Sequence, residues 1–173
     1  ENTPGISPTP LCSSADWGCC RLKWNSCSQL PDRLERGYLH REQHFYSAND
    51  ALVSTLGLRT HELRLNNVEV KEDLQADLPN TMANESEIQQ VFLNLVLNAE
   101  QAMLTAHGRG LLSIKTRRAG DAIRISVTDD GPGISEEALS KIFDPFFTTK
   151  AEVKRSGLGL SIYYGIVRQH GGT

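Results

Sequence analysis

Residues 122–128 alternate, with Ile123, Ile125 and Val127 on one face and Arg124, Ser126 and Thr128 on the other. A period of two predicts a half-buried strand. The pattern stops at Asp129-Asp130-Gly131-Pro132-Gly133, so a carboxylate stands where the strand ends and the backbone turns. From Ser86 onward the period changes. Ile88, Val91, Phe92, Leu95, Ala99, Ala102 and Met103 recur at steps of three and four, which predicts a long amphipathic helix capped by Ser86 or Asn84. Leu52, Leu56 and Leu63 predict an earlier helix over about residues 49–67, followed by a short strand at Val68-Glu69-Val70-Lys71 and a break at Leu78-Pro79. A strand over 111–117 joins the alternating one as a hairpin through Ala119-Gly120-Asp121. Ser135 opens a short helix carrying Ala138, Leu139 and Ile142, residues 143–156 read as a loop, and a last helix runs over 157–170. These elements predict an α/β (α+β) two-layer sandwich, one mixed, mostly antiparallel sheet under a layer of helices.

Composition narrows the function classes. The 173 residues suffice for one domain with a core and an appendage. A net charge of -3 gives no electrostatic case for nucleic acid. No apolar run approaches a membrane span, and residues 1–10 lack the regions of a signal peptide. The expectation is a cytoplasmic chain without direct membrane contact. Residues 1–44, rich in Pro, Ser, Cys and Gly, carry no sustained period and read as an irregular or poorly ordered segment ahead of a domain over 45–173. Cys12, Cys19, Cys20 and Cys27 all lie there, without the paired C-x2-C knuckles of a zinc site.

Three features carry candidate chemistry. Asn94 and Asn98, four apart, project from one face of the long helix inside the apolar run 91–99. Either they bond backbone or water at the helix surface, or their carbonyl oxygens face a ligand, where an amide oxygen suits a hard cation such as Mg2+. Asp129 could accept a hydrogen bond from the exocyclic amine of adenine and would repel the carbonyl that guanine carries there. Gly131 and Gly133 let the backbone approach a flat base. Gly157-Leu158-Gly159-Leu160 opens a helix, either as a simple helix entry or as an anion site, with Lys150, Lys154 and Arg155 ahead of it. A P-loop is excluded by the lack of G-x-x-x-x-G-K-[ST], and the dinucleotide fingerprint by the lack of a third glycine.

Taken together, four segments resemble the motifs of the sensor histidine kinases. Gln90-Val91-Phe92-Leu93-Asn94-Leu95-Val96-Leu97-Asn98-Ala99 is similar to their N box, Asp129-Asp130-Gly131-Pro132-Gly133-Ile134 to their G1 box, Ile142-Phe143-Asp144-Pro145-Phe146-Phe147-Thr148-Thr149-Lys150 to their F box, and Ser156-Gly157-Leu158-Gly159-Leu160-Ser161-Ile162 to their G2 box. The four occur in the family's order across about residues 50–173. The resemblance implies the Bergerat-type ATP-binding fold of the GHKL superfamily, in a branch like the nitrogen-regulation kinases, truncated here at its C-terminal strands so that a sheet edge is left open. It implies ATP and Mg2+ as cofactors. Asn98 would ligate Mg2+, and Asn94 would contact the phosphates or the metal shell. Asp129 would read adenine, with Gly131, Gly133 and Ile134 shaping the pocket. Phe147, Thr149, Lys150, Ser156 and Leu158 would belong to the ATP lid and its end, and Gly157, Gly159 and Leu160 would hold the phosphate tail. Arg155 departs from the motif, standing where its first glycine is expected.

The superfamily also contains ATP hydrolases, which resemble one another in a glutamate one turn before the metal asparagine and an aspartate just before the following alanine. Here those positions are Asn94 and Gln101, and neither amide can act as a base. The expectation is therefore a protein histidine kinase domain that transfers the γ-phosphate to a histidine on a dimerisation domain outside this chain, within a homodimeric parent, free or membrane-anchored, that serves a response regulator receiver domain. The alternatives are a GHKL-type hydrolase and a truncated nucleotide-binding module without catalysis. No acid–base residue is assigned in the chain. His61-Glu62-Leu63-Arg64 lacks the proline of an acceptor motif, and the N box starts roughly 30 residues later, too soon for a dimerisation module. His40 and His44 lack acceptor surroundings too, and His107 and His170 are expected at the surface.

Overall fold

The computed structural model describes residues 18–23, 44–147 and 159–173, the first stretch by its backbone alone. In chain order the elements are β1 (Gly18–Lys23), β2 (His44–Tyr46), α1 (Ala48–Leu65), β3 (Val68–Leu74), β4 (Thr81–Ala83), α2 (Glu85–His107), β5 (Gly110–Ala119), β6 (Ala122–Asp129), α3 (Glu136–Leu139) and α4 (Gly159–Gln169). Four strands form one sheet in the order β1-β6-β5-β3, and β2 pairs with β4 in a small antiparallel ribbon. The β3–β5 pair is parallel, with α2 in the crossover between them, while β5–β6 and β6–β1 are antiparallel. The sheet is thus mixed and mostly antiparallel, as the hairpin pattern predicts.

Alternation decides which face is wet. Leu112 and Ile114 of β5 and Ile123, Ile125 and Val127 of β6 are buried, whereas Lys115, Arg117 and Arg124 are exposed. One sheet face packs on helices and the other meets solvent, a usual arrangement for antiparallel strands. Over the buried face lie α1, α2 and α4, contributing Leu52, Leu56, Leu63, Ile88, Phe92, Met103, Tyr163 and Val167 to a single core. On the wet face Arg117 clasps Asp73 across β5 and β3. That hydrogen bond holds the Asp73 carboxyl below its ordinary range. Its small, exposed contribution is present at neutral pH and is lost as the pH falls through the lowered value.

The long helix begins and ends on local signals. Asn84 is the N-cap, its Oδ1 accepting from the Glu87 N–H at 3.2 Å, and Glu85 and Glu87 sit in the first turn. Gly108, in the left-handed region at φ 68°, closes the helix. Asn84→Ala is expected to cost about 1 kcal/mol, read as a lower urea midpoint with an unchanged slope.

Three elements differ from the sequence expectation. Within residues 1–44, expected to be irregular, Gly18–Lys23 is a strand, and it pairs antiparallel with β6. The β2–β4 ribbon was not expected, and α3 ends at Leu139, which leaves Ile142 in the following turn.

Candidate functional site

Helix α2 runs under the whole candidate site. Its apolar face is buried, yet Asn94 and Asn98 on its flank are only half-buried. Neither side chain hydrogen-bonds any described residue. Among the described residues these amides thus make no bond to the neighbouring backbone, which leaves them open to water or to a ligand. One turn further on, Ala102 meets the turn after β6: a Cβ placed on Gly131 would lie 3.1 Å from the Ala102 Cβ and 2.5 Å from Asp129 Oδ1. Only hydrogen fits at that position, for reasons of space rather than dihedral angle.

The turn is held by its own carboxylate. Asp129 is 5 % exposed, and its Oδ1 accepts from the Gly131 N–H at 2.8 Å. Gly133 follows at φ 77°, in the region that disfavours a side chain. Ile134 is half-buried beyond it. The neighbouring Asp130 is exposed and caps β5 instead, accepting from the Leu111 N–H at 2.8 Å.

The third wall is the start of α4. A Cβ on Gly159 would lie 3.9 Å from Asn98 Nδ2, so α4 begins beside the second asparagine. Its first-turn N–H groups have no partner within the helix, and they open next to that amide. Leu160 packs on the core. At its far end α4 is pinned by His170. This imidazole, expected at the surface, has a side chain only 2 % exposed. Its Nδ1 donates to the Ile166 carbonyl at 2.8 Å, and its Nε2 accepts from the Asn84 N–H at 3.1 Å. The helix-terminal position of His170 hid its partner, which lies across the fold at the start of α2.

The sequence-expected residues Asn94, Asn98, Asp129, Gly131, Gly133, Ile134, Gly159 and Leu160 all fall on α2, the 129–134 turn and α4. Phe147 is half-buried at the end of the F-box turns. Thr149, Lys150, Ser156, Gly157 and Leu158 lie outside the described residues, as do Lys154, Arg155, Cys12, Cys27 and His40. Ala102 was assigned only to the core; its place four residues after Asn98 was the available signal. His61 is exposed on α1. Among the described residues no helix is long and apolar enough to cross a membrane.

The fit to Mg2+ rests on donor chemistry. Asn98 offers a hard amide oxygen without a partner among the described residues, beside a helix start suited to phosphate, and a cation in such a place takes its remaining ligands from phosphates and water. Positions 94, 98 and 102 are spaced about 6 Å apart along the helix, so Asp129 and the two asparagines are set out in a line along α2.

Comparison with known proteins bears on the fold and the family. Residues 83–173 match the family described as histidine kinase-, DNA gyrase B- and HSP90-like ATPase. The sensor histidine kinase ZraS of Escherichia coli (strain K12) is 38% identical over 125 residues, covering 72% of this chain and 26% of ZraS. The C4-dicarboxylate transport sensor protein DctS of Rhodobacter capsulatus is 34% identical over 126 residues, covering 72% of this chain and 19% of DctS. The chain thus spans about a quarter or less of the length of these curated relatives. Among solved structures, the nucleotide-free catalytic domain of histidine kinase ThkA superposes with a TM-score of 0.66 at 31% identity, covering 75% of this chain and 83% of that one. With its motifs, fold and relatives in agreement, the chain belongs to the histidine kinase-, DNA gyrase B- and HSP90-like ATPase family, as an ATP-binding domain of the sensor histidine kinase kind.

Proposed function

We propose that the chain binds Mg-ATP between α2, the 129–134 turn and the start of α4, and presents the γ-phosphate to a histidine on a dimerisation domain outside residues 45–173. The observation that carries this reading is the amide pair Asn94 and Asn98, half-buried and without a bonding partner among the described residues, beside the first turn of α4.

Each residue then has a task. Asp129 receives the adenine amine, over a turn that Gly131 and Gly133 keep low, with Ile134 against the base. Asn98 would hold Mg2+, whose charge offsets that of the phosphate oxygens. Asn94 orients the phosphate chain, and Gly159 and Leu160 set the N–H groups of α4 against it. Phe147, Thr149, Lys150, Ser156, Gly157 and Leu158 are assigned to the lid and phosphate tail on their motifs alone. Attack by a ring nitrogen of the acceptor histidine forms the N–P bond, the bond from phosphorus to the β,γ-bridging oxygen breaks, and ADP leaves. The imidazole proton goes to a base on the acceptor side. Asn94 cannot deprotonate water, which disfavours hydrolysis.

Several points rest on the relatives. Similar proteins are sensor kinases, and one solved structure is of ThkA in complex with the response regulator TrrA, 29% identical to this chain with a TM-score of 0.61 and covering 74% of this chain and 35% of that one. That likeness supports a receiver domain as downstream partner; a homodimeric parent and a cytoplasmic site of action, with or without a membrane anchor elsewhere in the parent, are proposed with it. The test mixes the chain with a separate histidine-bearing dimerisation domain, Mg2+ and γ-labelled ATP. Label on the partner's histidine is the expected result. ATP turnover without label would favour a hydrolase, and binding with neither activity would favour a nucleotide-binding module.

A further inference from the structure

Helices α2 and α4 lie antiparallel and touch at both ends of α4. Gly159, at its start, stands beside Asn98, and His170, just past its end, reaches Asn84, the N-cap of α2. The imidazole is first fixed on its own helix. The Ile166 carbonyl accepts from the His170 main-chain N–H at 3.1 Å and from Nδ1 at 2.8 Å. The other ring nitrogen crosses to α2, where Nε2 accepts from the Asn84 N–H at 3.1 Å. A main-chain N–H can only donate, so Nε2 presents its lone pair and the ring proton sits on Nδ1. Glu87 Oε2, 3.6 Å from Nε2, accordingly makes no hydrogen bond there, because that nitrogen has no proton to offer.

This bond decides where α4 stops along α2. Along its length α4 buries Tyr163, Ile166 and Val167. Apolar contact is non-directional and tolerates sliding, whereas a hydrogen bond weakens steeply away from its geometry. Holding the far end of α4 at Asn84 therefore also fixes how its first-turn N–H groups stand to Asn98. We infer that His170 is a positioning residue for the phosphate end of the ligand, setting the axial register of α4 against α2. The inference rests on the Mg-ATP reading above. His170 itself lies about 16 Å along the helix from Gly159 and acts only through α4. Asp129 belongs to the turn after β6, so binding of the base alone does not depend on the register.

The test titrates the 173-residue chain with Mg-ATP and with adenosine, followed by NMR shifts, and compares the two affinities. A hydrogen bond is worth about three- to tenfold in affinity, and a ligand that must itself draw α4 into register loses up to that factor. The side chain of His170→Asn meets the Ile166 carbonyl but is too short to reach Asn84. It should weaken Mg-ATP about three- to tenfold and leave adenosine within about twofold of wild type. The longer amide of His170→Gln brings an acceptor to the place of Nε2 and should restore most of the Mg-ATP affinity. A second pair of variants works from the other helix. Asn84 has φ -78°, which proline accepts, and follows a strand residue. Asn84→Ala and Asn84→Pro both lose the side-chain cap, but only the proline loses the N–H. Asn84→Pro should weaken Mg-ATP selectively, and Asn84→Ala should keep the wild-type ratio of the two ligands. Should His170→Asn not fold, the Asn84 pair decides alone. Equal weakening of both ligands by His170→Asn, a glutamine no better than the asparagine, or equal ratios in the two Asn84 variants would each mean general loosening and overturn the assignment. So would an Mg-ATP affinity untouched by His170→Asn. In all of these a wild type that binds Mg-ATP leaves the reading of the site standing, whereas a wild type that binds neither ligand removes both.

Discussion

Asp129→Asn is expected to lower affinity for Mg-ATP about ten- to a hundredfold and to raise Mg-GTP to at least the same level. The reason lies in one short contact. Asp129 Oδ1 is held by the Gly131 N–H at 2.8 Å, and an asparagine at 129 would keep that bond through its own Oδ1. Its second atom is then Nδ2, a donor, where the native side chain has an acceptor. Adenine presents an amine to that place and guanine a carbonyl, so the substitution turns an attraction into a clash for one base and the reverse for the other. A hydrogen bond to a charged group contributes about 1.5–3 kcal/mol, which sets the range through the tenfold-per-1.4 kcal/mol rule. The Gly131 bond is kept, so the turn that carries residue 129 should keep its shape. Titrations of both nucleotides against both proteins decide the matter, and an ATP-over-GTP ratio within twofold of wild type would refute the assignment of Asp129 to the base.

The second large effect concerns stability. Glu100 follows Asn98 by two residues but points to the other side of α2, where it is 5 % exposed. Its Oε2 accepts from Arg59 Nη2 at 2.9 Å and its Oε1 from Asn66 Nδ2 at 2.8 Å, both from α1 and its C-cap. The two partners are not equally buried, since the Arg59 side chain keeps 24 % of its surface exposed. Arg59→Ala leaves a buried carboxylate with one neutral donor and should cost about 3–5 kcal/mol. Glu100→Ala leaves a cation that can reach water and should cost less, about 1–3 kcal/mol. Against a total of about 5–15 kcal/mol for a domain, the first change would leave little margin. Urea unfolding of both variants checks the order, and a larger loss for Glu100→Ala would show that packing rather than the stranded charge dominates.

The sequence disclosed those elements whose signal is local and repeated. Apolar spacing over α2 and alternation over β6 each reflect one buried face, and that face is buried as expected. The amides Asn94 and Asn98 were conspicuous because they interrupt such a run. Elements fixed by distant partners were not legible. The strands His44–Tyr46 and Thr81–Ala83 are too short to show a period. Gly18–Lys23 pairs with residues about a hundred positions away, and nothing in its own pattern announces the partner. His170 gave no sign of burial, since its neighbours are polar or glycine and its bond to Asn84 crosses 86 positions. Glu100, too, reads as a solvated helix charge until α1 is placed against α2.

That distant pairing of β1 also bears on the order in which the molecule assembles. The β5–β6 hairpin closes over a two-residue turn, and β3 joins it once α2 has crossed over. Joining β1 to β6 must close a loop of about a hundred residues, and that entropy is met only after the rest of the sheet offers an edge. The last strand to dock is, by the same ledger, the first to leave when the fold opens locally. Since β6 ends at Asp129, the carboxylate proposed to read the base belongs to a strand with one neighbour laid down early and the other late.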